Sequence, residues 1–151
     1  MLSIPQHVVA LLGRVLLSAI FLASGVNHIL SWDRTLAVLG SQFSVLPGTV
    51  VAERSETLAP VLLTAAVAFL IGGGLMLLLG MFTRLGAVVL ILFLIPATLM
   101  FHNFWVYEPS EADYTIQMIH FMKNLGLMGG LLAVLAFGPG WFAADTFIRR
   151  E

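Results

Sequence analysis

Four stretches of roughly twenty apolar residues, at 8 to 30, 58 to 82, 85 to 104 and 114 to 137, dominate the chain. A helix rises ~1.5 Å per residue, so each stretch can cross the ~30 Å hydrocarbon core of a bilayer. In lipid, backbone N–H and C=O groups must be satisfied within the segment, and for a single run of this length that means a helix. Composition agrees: of 151 residues, 60% are apolar and 10% charged, and mean hydropathy is +1.02, too little charge to coat a water-soluble globule. The reading is all-α: an integral membrane four-helix bundle forming one domain over residues 1 to 151.

The same numbers exclude several functions. A net charge of -1, with no basic run longer than Arg149-Arg150, offers nothing that could neutralise a series of phosphates. Nucleic acid is therefore not a partner, whereas membrane lipid is. Zero cysteines removes disulfides, thiol relays and iron–sulfur ligation, so any redox role must use a bound group. Arg14, followed by VLLSAIFL and Ala23-Ser24-Gly25, imitates a cleavable leader, but VVALLG precedes the arginine. The segment is read as a retained span.

The connections carry most of the charge. The long one, 31 to 57, holds Asp33, Arg34, Glu53, Arg54 and Glu56, with a turn signal at Pro47-Gly48. Its WDRTLAVLGSQF portion has the makings of a short interfacial helix. The tight connection at 81 to 84 makes spans two and three antiparallel neighbours. The third, 106 to 113, is acidic, and Ser110 with Asp113 matches a capping box at the start of the fourth helix. Arg14, Arg84, Arg149 and Arg150 fall on one side and Arg34 and Arg54 on the other, which by the positive-inside rule gives N-in, C-in. Trp32, Trp105, Tyr107 and Tyr114 then form an outer aromatic belt, and Trp141 an inner one. Gly72, Gly73, Gly74 and Gly80 in span two, with Gly126, Gly129, Gly130 and Ala133 in span four, read as close helix packing. Spans one and three echo each other, with Arg14 and Arg84 near one end and Asn27-His28 and His102-Asn103 near the other.

The fourth span begins with QMIHFMKNLG, and at 100° per residue Gln117, His120, Lys123 and Asn124 share one helix face. Exposing a charged group to lipid costs a few kcal/mol, so that face points into the bundle or a hydrated cavity. His120 lies ~9 Å inward from Tyr114, and Asn27, His28, His102 and Asn103 end the first and third spans on the same side. These residues outline an outer-leaflet cavity under the acidic connection of Glu108, Glu111 and Asp113. Its imidazoles, amides and amine would suit a quinone headgroup, which needs a hydrogen-bond donor at each carbonyl and a proton source. They would also suit a small oxidised anion. The histidines lie on three helices without HxH or HxxxH spacing, so neither metal nor haem is expected. Two readings of Lys123 stay open: ligand contact, or snorkelling and pairing with a lid carboxylate. Arg14 reads as a snorkelling residue or a partner of lipid phosphates. No nucleophile and base pair supports hydrolysis, and the chain alone carries no evident catalytic apparatus.

GRVLLSAIFLASGVNHI at 13 to 29, LGMFTRLGAVVL at 79 to 90, HNFW at 102 to 105 and MIHFMKNLGLMGGLLAVLAFGPG at 118 to 140 resemble the DoxX family of small four-span bacterial membrane proteins. The resemblance covers all four spans but not the insert around 44 to 57. It implies a multi-pass protein of the bacterial inner membrane, linked to quinone-dependent oxidoreductase systems, with Arg14, His102, Trp105, Lys123 and Asn124 at recurring motif positions. Many relatives carry a carboxylate inside the second span, whereas here Phe69-Leu70-Ile71 stands in its place. The candidate ligand site is therefore Asn27, His28, His102, Asn103, Trp105, Gln117, His120, Lys123 and Asn124. The expected function is a membrane subunit of a quinone-linked oxidoreductase system, with a larger redox complex or a second copy as partner. The alternative is a non-catalytic structural or assembly subunit, and a small-solute transporter is weaker because only Pro96 interrupts a span.

Overall fold

The computed structural model describes residues 4–44 and 54–148. The Pro47-Gly48 turn, Glu53, Arg149 and Arg150 lie outside the described residues. Four long helices carry the fold: α1 (Ile4–Leu30), α3 (Ser55–Leu79), α4 (Thr83–Phe101) and α5 (Ala112–Phe137). They contain four segments long and apolar enough to cross a membrane, Pro5–Leu30, Ser55–Leu79, Thr83–Val106 and Ala112–Phe137. Between α1 and α3 the expected short helix forms as α2 (Trp32–Ser44), and a five-residue helix α6 (Ala144–Ile148) follows α5. Among the described residues there is no strand.

Helix α1 packs on α3, α3 on α4 and α4 on α5, while α5 touches α1 over a shorter stretch. Glycines set two of these approaches. A Cβ on Gly73 would lie 2.7 Å from Leu90 Cγ, and one on Gly86 would lie 3.1 Å from the Gly73 carbonyl, so only this pair lets α3 and α4 come so close. Gly74 likewise admits Leu22 of α1. The span-four glycines behave differently. Gly130 accommodates Leu17, but Gly126 and Gly129 have open space where a side chain would go, and they and Ala133 are exposed. Of the close packing expected for this group, only the Gly130 contact is made within the bundle, and α5 buries only Asn124 and Leu131.

The core, built on Leu77, Leu90 and Leu131 with Phe21, Leu70 and Leu94, fills the middle of the bundle and its Arg14 end. At that end Arg14 is 1% exposed, and its guanidinium donates to the Leu77 carbonyl at 3.4 Å and to the Phe142 carbonyl. It neither snorkels nor reaches lipid phosphates. A charge inside a membrane bundle needs polar partners, and the C-terminal carbonyls of α3 supply negative dipole ends. Gly80 closes α3 in the left-handed conformation, φ 68°, with Met81 N donating back to the Met76 carbonyl at 3.1 Å. Phe82, also left-handed at φ 51°, donates its N–H to Asp145 Oδ1 at 2.7 Å. Asp145 Oδ2 accepts from Thr83 N at 2.9 Å and from Thr83 Oγ1 at 2.8 Å, capping α4 from a residue distant in sequence. The G-x-x-T-R stretch, Gly80 to Arg84, is thus a tight turn latched by Arg14 and Asp145. Arg84 itself is exposed, so the Arg14/Arg84 echo is not a structural equivalence.

The fourth helix starts at Ala112 without the expected capping box. Its N-cap residue is Glu111, with no side-chain cap; the Glu111 carboxylate instead accepts from Glu108 N at 3.3 Å. Asp113 still lies in the first turn, at the positive dipole end.

Candidate functional site

At the end opposite the Arg14 latch lies a half-open cavity of about 670 Å³ walled by α1, α2, α3, α4 and α5. Most of its lining is apolar, including Phe69, Leu92 and Pro96. Pro96 has no N–H, so the Leu92 carbonyl loses its helical partner, and both residues face this space. Polar side chains gather on the rest of the wall: Asn27 and His28 from α1, His102 after α4, Lys123 and Asn124 from α5. Five of the nine sequence-predicted residues thus line one cavity.

On the shared face of α5 Asn124 is buried, Gln117 and His120 are half-buried and Lys123 is exposed. Gln117 Oε1 and His102 Nδ1 are 2.8 Å apart, and the His102 and His120 rings stack with centroids 5.0 Å apart. Lys123 Nζ lies 3.3 Å from His120 Nδ1. Gln117 and His120 do not line the cavity; they stand behind His102 and Lys123 and orient them. Hydrogen-bond chemistry then assigns the imidazoles. An amide oxygen only accepts, so His102 carries its proton on Nδ1 and, when neutral, turns an accepting Nε2 to other partners. A charged amine only donates, so His120 accepts at Nδ1 and carries its proton on Nε2. Among the described residues no carboxylate pairs with Lys123, so the ion pair with the acidic connection is not formed.

Asn124 is 7% exposed and donates from Nδ2 to Thr98 Oγ1 at 3.0 Å. That bond fixes its amide, leaving a second N–H and Oδ1. His28 Nδ1 is buried without a hydrogen-bond partner among the described residues. Asn103 and Trp105 fall outside the cavity. Asn103 caps the 3-10 turn Phe104–Val106, accepting from Val106 N at 3.1 Å, and the half-exposed Trp105 ring packs edge-on against Phe104 and Phe121. Trp105 belongs to the aromatic cluster with Phe104 and Phe121 beside the α4–α5 connection, and Asn103 acts there through its backbone carbonyl. No three His, Cys, Asp or Glu side chains among the described residues converge as a metal ligand set.

Sequence reading missed several contributors, among them Ser24, Ser31 and Thr35 on the cavity wall. Thr98, 2% exposed, sits one turn before His102 on the same face of α4, a spacing that could have found it. Arg34 lines the cavity because α2 folds back against α3, a tertiary event without a local signal.

Four membrane-length helices, a buried arginine latch at one end and a polar-walled cavity at the other define a small multi-pass membrane bundle. A family model described as DoxX matches residues 9–103, well over half the chain, and the protein belongs to the DoxX family. A model of the SURF4 family also matches, over residues 57–150. The chain is similar to inner membrane protein YqjF of Escherichia coli (strain K12), 25% identical over 149 residues covering 97% of this chain and 96% of that one. It is similar also to inner membrane protein YphA of the same organism, 25% identical over 140 residues, 93% of this chain and 90% of the relative. No solved structure matches. The protein is a multi-pass inner-membrane protein.

Proposed function

We propose that this protein is the membrane subunit of a quinone-linked oxidoreductase system and that its cavity binds a quinone or a small oxidised solute. The observation that carries the reading is the cavity's mixed lining: a mostly apolar space that also receives hydrogen-bonding groups from α1, α2, α5 and the end of α4. Its volume, about 670 Å³, sits mid-range for small-molecule sites, typically ~300–1,000 Å³. The residues suit a quinone head. Lys123 and the second Asn124 N–H offer donors for carbonyl oxygens, and His102 Nε2 offers an acceptor for a hydroxyl. Gln117 and His120 hold the histidine and lysine in those states. When bound, a quinone would supply the electron-accepting chemistry that a cysteine-free chain lacks.

Gentle extraction followed by lipid analysis tests this. Quinone should co-purify at near one equivalent and fall in Lys123→Ala and His120→Ala proteins that remain folded. Absence of any lipid-soluble cofactor, with unchanged quinone reduction in the double-variant strain, would sink it.

One observation favours the assembly reading instead: the exposed face of Gly126, Gly129 and Ala133, with open space at both glycines, on a helix that buries only two residues. Co-purification of a larger complex that assembles and works normally with the cavity variants would select that alternative.

A further inference from the structure

A cavity lined by fixed charges of one sign favours a ligand of the opposite sign. The fixed charges of this cavity are Arg34 on α2 and Lys123 on α5, both positive and both exposed, and no Asp or Glu among the described residues lines it. Lys123 Nζ meets the accepting nitrogen of His120, which brings no negative charge, and Arg34 has no carboxylate partner among the described residues. Asp33, next to Arg34, is exposed and does not line the cavity. The Arg14 end shows the contrast: there the buried guanidinium has Asp145 for a counter-charge.

We infer that the ligand supplies the missing charge: the cavity takes a single-chain amphiphile whose head bears a full negative charge on oxygen. The head lies against Lys123 and Arg34, and the tail runs along Phe69, Leu92 and Pro96. One chain is the occupant because about 670 Å³ is room for one small ligand and not for a two-chain phospholipid. Lateral access is open, since Val38, Leu62 and Leu92 on the cavity wall are themselves exposed to the bilayer. A charge-assisted hydrogen bond to an anionic oxygen is roughly twice as strong as its neutral counterpart, so the cavity discriminates between ionised and neutral heads of the same shape. The inference rests on the cavity reading above but not on the ligand being a quinone.

The test uses the full chain in neutral detergent with spin-labelled stearate as the probe, its immobilised fraction read by EPR. Competitors come in charge-matched pairs: palmitate against methyl palmitate, and a 2-hydroxy-3-alkyl-naphthoquinone, ionised at neutral pH, against its 2-methoxy ether. The ionised member of each pair should compete at least about tenfold better, the ratio 1.4 kcal/mol supplies. In Arg34→Gln/Lys123→Gln that preference should collapse towards one, with helical circular dichroism and a monodisperse elution in detergent showing that the variant is folded. Arg34→Lys should keep the preference. Equal competition by acid and ester, or a preference that survives the double substitution, overturns the inference. If palmitate binds with the charge preference and neither naphthoquinone competes, the anionic-amphiphile site stands and the quinone reading falls. If the naphthoquinones compete without regard to charge, the quinone reading stands and this one falls.

Discussion

Replacing Asp145 with alanine should destabilise the whole bundle although the residue sits in a five-residue helix at its edge. One carboxylate accepts from Phe82 N, Thr83 N and Thr83 Oγ1 at 2.7, 2.9 and 2.8 Å. Thr83 is 0% exposed, so water cannot replace the lost acceptor at its hydroxyl. A buried donor left unpaired costs ~1–3 kcal/mol, and loss of a helix N-cap typically ~1 kcal/mol. The terms overlap on the same two residues, so the combined loss is about 3 kcal/mol rather than their sum. Arg14, 1% exposed, also loses its counter-charge, which keeps the estimate from falling lower. At ~2–4 °C per kcal/mol for a chain of this size, Tm should drop by roughly 6–12 °C. Thermal unfolding in detergent, followed by the fluorescence of Trp32, Trp105 and Trp141, measures it. Asp145→Asn keeps an accepting oxygen and should lose about half as much. A Tm drop below ~2 °C for Asp145→Ala would refute the latch as a source of stability.

Other substitutions separate tight from open helix faces. Gly86→Ala places a Cβ 2.7 Å from Met76 Cβ and should cost ~1–3 kcal/mol, whereas Gly126→Ala meets nothing within 4 Å and should gain up to ~1 kcal/mol from helix propensity. Asn124→Leu breaks the bond to Thr98 and should lose ~1–3 kcal/mol of thermal stability, most of it recovered when Thr98→Val removes the orphaned hydroxyl as well. Because the chain has no cysteine, single introduced thiols report topology directly: Glu111→Cys should react with an impermeant maleimide from outside intact cells, and Arg84→Cys only after permeabilisation. The reverse pattern would invert the orientation deduced from the arginines.

The spans were legible in the sequence because lipid leaves the backbone so few solutions, but the second was read on to Phe82 with Gly80 as a packing residue, whereas Gly80 is the left-handed cap that ends α3 at Leu79. The 100° periodicity of α5 was enough to put Gln117, His120, Lys123 and Asn124 on one face, where Gln117 meets His102, but of the four only Asn124 is buried and Lys123 is exposed. What periodicity cannot give is the partner across space. Arg14 reads as a snorkelling residue until α3 and the Phe142 segment bring carbonyls to it from 63 and 128 positions away. Arg34 reads as loop charge until α2 lies back on α3 and turns it into a cavity wall. Trp105 and Asn103 lie outside the cavity for a different reason: the chain leaves α4 at Phe101 and turns, so the periodicity of a helix no longer sets their direction.

Photo-crosslinking with an azido-quinone in native membranes, followed by peptide mapping, tests the cavity as the ligand site most directly. Label is expected on α1 near Asn27, on α2, and on α4 and α5 around Pro96 and Lys123, and excess unlabelled quinone should suppress it. Label confined to the exposed Gly126, Gly129 and Ala133 face, or none that unlabelled quinone displaces, would contradict it.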